Sequence, residues 1–140
     1  MRIDDYYGFL AAKALQQLNA MFDALLQEEN VNGRLFGTLV IVSDNPGVTQ
    51  RAAGDLQKVD RTTIGKFVDE LCEGGYVERR RSQKDRRSYA LFLTSRGEEA
   101  LGRFRGACQQ VEDQFFASFS RDERDVYVRL TKKLVKEKMG

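Results

Sequence analysis

The hydrophobic spacing of this chain changes period twice, and that double switch limits the fold more than any other feature. Up to Gly74-Gly75 the apolar residues recur every three or four positions. Over Tyr76–Arg79 and again over Tyr89–Leu93 they alternate, and from Leu101 the three-to-four rhythm returns. A spacing near 3.6 buries one face of a helix, and a spacing of 2 buries one face of a strand. The expected fold is therefore mainly α with a small β hairpin set between helices.

Local signals divide the helical stretches. A first helix is expected from about Asp4 to Glu28, with Asp4 or Asp5 as its cap and Leu10, Ala14, Leu18, Met21, Phe22 and Leu25 on one face. A second runs from about Arg34 to Ser43 and stops at Asp44-Asn45-Pro46-Gly47, the chain's single proline turn. A short helix over Thr49–Gln57 turns Ala52, Ala53 and Leu56 inward. After Lys58-Val59, Asp60 caps a helix that ends at Gly74-Gly75, with Ile64, Phe67, Val68 and Leu71 as its buried stripe. Two helices joined by a tight turn and followed by a hairpin make a winged helix-turn-helix. Thr94 or Ser95 opens a long helix, Ser95 with Glu98 fitting a capping box, and Ser120 with Glu123 opens the last one. The expected organisation is an N-terminal helix over 1–32, the winged lobe over 33–96, and two further helices over 97–140.

Charge is distributed unevenly along these elements. The net charge is only +2, yet Thr49–Gly97 holds 11 basic against 7 acidic residues. Between the two strands, Arg79–Arg87 (RRRSQKDRR) packs six cations and one carboxylate into nine residues. Such a patch is either a solvated loop or a site for a polyanion. The helix from Arg61 to Glu73 favours the second reading. Its apolar stripe packs inward and leaves Arg61, Thr62, Thr63 and Lys66 outward at its amino-terminal end, where recognition helices meet base edges and phosphates. Arg61 suits a bidentate contact to guanine. Thr49 and Gln50, at the start of the preceding helix, join the candidate DNA contacts, as do Arg79, Lys84, Asp85, Arg86 and Arg87 of the wing. Asp85 lies two residues from Arg87 and is expected to orient its guanidinium for a narrow minor groove, while Arg86 points to backbone phosphate.

The stretch from Gly47 to Leu101 resembles the core of MarR-family transcriptional regulators. VDRTT opens the recognition helix, GGYVERR enters the wing, KDRR forms its tip and LTSRG leaves it. The resemblance implies a homodimer built from the terminal helices, binding a pseudo-palindromic double-stranded DNA operator. It also implies control by a small aromatic effector held between the dimer helices and the lobe. Ala53, Gly54 and Gln57 depart from the family's leucine-alanine and later leucine, and Lys58 stands where glycine is common; Leu56 is expected to supply the missing anchor. The family's peroxide-sensing branch uses a first-helix cysteine, which this chain lacks.

For the dimer, the residues expected at the interface are Leu10, the heptad-spaced Leu101, Phe104, Cys108, Val111 and Phe115, and then Phe119, Tyr127 and Leu130. Cys72 and Cys108 read as small apolar residues. Histidine is absent, and no nucleophile–base pair or phosphate-cradling loop is present, so an enzyme, a metal site and a cofactor are not expected. Nor is a membrane span or a secretory signal, which places the protein in the cytoplasm. The alternative is a winged-helix module that docks proteins without reading DNA, against which the density of cations at the wing tip argues.

Overall fold

Six helices and three short strands make up the described residues of the computed structural model, which are 1–27, 33–84 and 87–139. The helices are α1 (Tyr7–Leu26), α2 (Gly33–Asp44), α3 (Gln50–Gln57), α4 (Arg61–Glu73), α5 (Ser95–Phe115) and α6 (Arg121–Met139). The strands are β1 (Val48–Thr49), β2 (Val77–Arg81) and β3 (Tyr89–Leu93), in the antiparallel order β1-β3-β2.

Caps fix most of the boundaries, two of them differently from the expectation. Asp4 and Asp5 do not cap α1. They belong to a 3-10 turn over Ile3–Asp5, where the Asp5 carboxylate accepts from Arg2 N at 2.8 Å. At α5 the cap is Thr94 rather than Ser95. Thr94 Oγ1 accepts from Gly97 N at 3.0 Å and donates to Gly75 O at 2.5 Å, which ties the helix start to the turn after α4. The second capping box forms as expected: Ser120 N donates to Glu123 Oε1 at 2.8 Å and Glu123 N to Ser120 Oγ at 3.1 Å.

The turn after α4 needs one left-handed residue, and Gly75 supplies it at φ 79°. At the end of α3 the same conformation falls on Lys58, at φ 59° and ψ 42°. The chain thus makes the tight turn without the glycine usual there, against the steric preference of a residue with a Cβ. Gly97 is required for a different reason: a Cβ there would stand 2.0 Å from Tyr76 O, so α5 can cross the start of the wing only at a glycine.

β1 has no signature in the hydrophobic spacing because two residues cannot show a period. It pairs with β3 in the register Val48↔Leu91 and Thr49↔Ala90, and the turn before it adds Gly47 N→Leu91 O at 2.9 Å. β2 pairs with the other edge of β3 from Val77↔Leu93 to Arg81↔Tyr89, so it starts one residue later and ends two residues later than the alternating pattern implied.

The core lies between α2, α4, β3 and α5. Leu39, Ile64, Val68, Leu71, Leu91 and Phe104 are all but fully buried in it. An edge-to-face aromatic ladder joins three helices across it, with Phe22 of α1, Phe36 of α2 and Phe104 of α5 at centroid separations of 5.5 and 6.0 Å. Leu56 is exposed and does not anchor α3; Ala53 and Gly54 fill the inward face instead.

Much of the heptad stripe of α5 is covered by the chain's own helices. Leu101 and Phe104 are buried in this core and Val111 beside the facing α1, so these three are not open to a second copy, whereas Cys108 and Phe115 are half-buried. The periodicity correctly marks a covered face but cannot name what covers it. The uncovered apolar surface lies elsewhere: Ile3, Tyr7, Leu10 and Leu15 near the amino terminus, and Val126, Tyr127, Leu130 and Leu134 on α6. No residue of α6 from Arg121 to Lys136 is buried. The helix is joined to the rest at its first turns, where Tyr127 meets Phe116 at 4.8 Å and Arg124 pairs with Asp113 at 3.0 Å.

Candidate nucleic-acid interface

α4 presents two unlike faces because its cap and stripe are set by sequence. Asp60 Oδ1 accepts from Thr63 N at 2.6 Å, and that hydrogen bond holds the Asp60 carboxyl below the usual aspartate range. One turn on, Ile64, Phe67, Val68 and Leu71 are buried against α2, α3 and the sheet. Arg61, Thr62 and Lys66 are exposed on the opposite side and Thr63 is half-buried. The amino-terminal turn thus offers short donors and cations beside a carboxylate already committed to the backbone.

The loop end of the wing hairpin stands beside this turn. Arg61 and Ile64 of α4, Gln50 and Arg51 of α3, and Arg87, Ser88 and Tyr89 line one cleft of about 620 Å³. Three guanidinium-bearing residues, Arg51, Arg61 and Arg87, therefore share a concave surface. That arrangement suits a chain of phosphates. Arg51 was not among the sequence candidates; its signal was a cation two positions after the cap residue Thr49. Lys84 is exposed toward the tip. Asp85 and Arg86 lie outside the described residues, and so does the expected pairing of Asp85 with Arg87.

Other candidates have partners within the protein. Thr49 Oγ1 accepts from Ala52 N at 3.0 Å as the cap of α3. Arg79 is turned inward: its Nη2 meets Asp69 Oδ1 at 2.5 Å and its Nε donates to Gln50 Oε1 at 3.2 Å. Arg80, on the outer face of the hairpin, bonds Glu78 at 3.0 Å and lies 4.4 Å from the Phe92 ring centroid.

A second cleft of about 570 Å³ opens between α1, the start of α2 and α5. Leu18, Phe22, Cys108 and Val111 give it apolar walls, and Asp23, Arg34 and Glu112 give it polar ones. The Cys108 thiol is pushed up to about 11, first by burial and then by the Glu112 carboxylate. Burial raises Cys72 as well. Both cysteines are therefore protonated thiols at neutral pH, in keeping with their reading as small apolar groups. Among the described residues, no cluster of cysteine and carboxylate side chains could hold a metal, and no helix is long and apolar enough to cross a membrane.

This geometry agrees with the comparisons. The model of the MarR family matches residues 30–88, a stretch that takes in α2, α3, α4 and β2 and ends just before β3. A Thauera aromatica protein named for transcriptional regulation of the hcr operon is 37% identical over 109 residues, 78% of this chain and 66% of its own length. A crystal structure of MarR superposes with a TM-score of 0.82 at 27% identity, covering 91% of this chain and 93% of that one. The transcriptional repressor CouR, solved bound to a 23-mer DNA duplex, has the same fold with a TM-score of 0.88 at 24% identity, over 94% of each chain. With its recognition helix, three-stranded wing sheet and flanking helices in the same order, the chain belongs to the MarR family of winged helix-turn-helix transcriptional regulators.

Proposed function

We propose that the protein is a homodimeric, sequence-specific DNA-binding repressor acting in the cytoplasm on a pseudo-palindromic operator. One observation carries the reading: Arg61 at the start of α4 and Arg87 in the loop of the wing line the same cleft. In this reading α4 enters the major groove with Arg61, Thr62, Thr63 and Lys66, while Arg87 reaches the adjacent minor groove and Arg51 and Lys84 meet backbone phosphate. CouR is named a repressor and was solved on duplex DNA, which supports the same use of the shared fold.

The second copy is held by the exposed apolar surfaces of the amino-terminal segment and α6. Leu10, Phe119, Tyr127 and Leu130 are 39–49% exposed in the isolated chain, and an amphipathic helix with no buried side needs a partner. A small aromatic ligand, preferably an acid that pairs with Arg34, occupies the cleft between α1, α2 and α5 and releases the DNA.

Selection of bound sequences from a random duplex pool, with and without a panel of aromatic acids, tests these elements together. The expected result is an enriched site with two related halves, affinity that falls steeply with salt, and release by at least one acid. A pool that yields no enrichment, with binding insensitive to salt, refutes the DNA reading and favours a protein-docking module.

A further inference from the structure

Arg79 belongs to the run of cations on the wing, but its environment sets it apart from the others. Its side chain is 27% exposed, against 59% for the Asp69 carboxylate it meets. Asp69 sits on the outward side of α4, Gln50 opens α3, and the Tyr89 ring of β3 lies 5.9 Å from the guanidinium carbon. One guanidinium thus joins β2 to the recognition helix, the preceding helix and the neighbouring strand. Strand parity explains the inward direction, since Arg79 shares the face of buried Val77.

The contact with Gln50 has a chemical consequence. Arginine Nε–H can only donate, so the Gln50 atom 3.2 Å away is the amide oxygen. The amide NH2 is turned away from Arg79, and its nitrogen lies over Gly65 of α4, 3.6 Å from where a Cβ there would stand. Gln50 also lines the cleft that holds Arg61 and Arg87. A glutamine reading adenine needs both its oxygen and its nitrogen. With one lone pair of the oxygen held by Arg79 and the amide plane fixed by that bond, Gln50 is set to offer its NH2 as a donor, to a phosphate oxygen, a purine N7, a guanine O6 or a thymine O4.

We propose that Arg79 touches no DNA and is a positioning residue, which braces α4 through Asp69 and presents Gln50 to the groove as a donor. The proposal rests on the reading of this cleft as the DNA surface. It also accounts for a carboxylate on the outward side of the recognition helix. Unpaired, Asp69 would repel phosphate; paired with Arg79, it is neutralised and holds the helix in place.

The sign of one substitution separates this role from a direct contact. If Arg79 positions, Asp69→Asn weakens binding to the selected operator by about tenfold, the size of one charge-assisted hydrogen bond, although it removes a negative charge from the DNA face. Arg79→Met weakens binding similarly with an unchanged salt slope, the double variant is no worse than either single one, and Arg79→Lys recovers part of the loss. Gln50→Glu keeps an acceptor for Arg79 but turns a carboxylate outward, so it abolishes binding while leaving the urea unfolding midpoint in place. The opposite result is equally clear. If Arg79 is a phosphate contact, Arg79→Met lowers the salt slope by about 0.9 and Asp69→Asn tightens binding, and the proposal is overturned. Urea unfolding of each variant shows that the loss is not global unfolding. A wild-type chain that binds no duplex would sink the DNA reading itself, an outcome distinct from both.

Discussion

Thr38 donates its hydroxyl to Gln57 Oε1 across 2.6 Å, and the Gln57 amide in turn donates to Arg34 O at 3.0 Å. Thr38 is fully buried, so α2 and α3 are latched at this point by a polar pair. Removing one partner of such a pair strands the other, whereas removing both can be nearly neutral. Gln57→Leu leaves the Thr38 hydroxyl with only Arg34 O at 3.5 Å and is expected to cost about 1–2 kcal/mol. Combining it with Thr38→Val should restore stability to within about 1 kcal/mol of wild type, the non-additivity expected of touching residues. Urea unfolding of the two single variants and the double measures the coupling.

The latch shows where sequence stops being informative. That Gln57 departs from the usual leucine is visible in the sequence; that it answers a buried hydroxyl 19 residues earlier is not, because the pairing is made by tertiary packing. Helix ends were legible wherever a side chain makes its own cap, as at Asp60 and Ser120. They were not where two adjacent hydroxyls compete, and at α5 Thr94 prevails over Ser95 because it alone can also donate to Gly75 O. The recognition helix and the wing could be read from spacing and charge. The inward turn of Arg79 was within reach of strand parity, but the density of cations around it hid the alternation. The heptad of α5 announced a buried seam, and the partner proved to be α1 and α2.

Acid should weaken the start of α4 in a defined window. The folded-state pKa of Asp60 is depressed by the Thr63 N–H it accepts, so its contribution is fully present above the ordinary aspartate pKa and is lost as pH falls through the lower folded value. Asparagine caps as well but carries no charge. Asp60→Asn is therefore expected to be less stable than wild type at pH 7 and indistinguishable from it at strongly acidic pH, as read by urea unfolding across that range. A constant gap at all pH values would remove the charge from the account.

Cys108 should be slow toward thiol reagents. With its pKa at about 11, the thiolate fraction at neutral pH falls roughly two orders of magnitude below that of a free cysteine. In a Cys72→Ser background, alkylation should be correspondingly slow, and Glu112→Gln should speed it, because Glu112 both repels the thiolate and accepts from the thiol at 3.5 Å. A rate equal to that of free cysteine would contradict the burial.

Loss of the wing guanidinium should be felt in both affinity and salt dependence. Arg87→Ala is expected to cost about 1–3 kcal/mol of operator binding and to reduce the salt slope by about one contact. Fluorescence anisotropy at several salt concentrations gives both numbers. An unchanged isotherm removes Arg87 from the interface.

A charge on the outer helix should separate the two copies. Leu134 is 59% exposed in the single chain, so Leu134→Asp ought to leave the monomer's own packing intact. Sedimentation at micromolar concentration is expected to show a dimer for wild type and a monomer for the variant; a monomeric wild type refutes the apolar-face reading of α6.

The two residues of β1 bear on how such a protein could be switched. β1 passes directly into the cap of α3 while its backbone is bonded to β3, and β2 hangs from the other edge of the same strand. The wing and the two helices before it therefore share a single backbone frame with no joint between them. Among the described residues, the cleft between α1, α2 and α5 is lined by none of the wing or of α4. In the proposed dimer, a molecule held there would reach the DNA surface through that frame, and a tilt of the frame would change the reach between two such pieces along the duplex, with the grip of each left as it was.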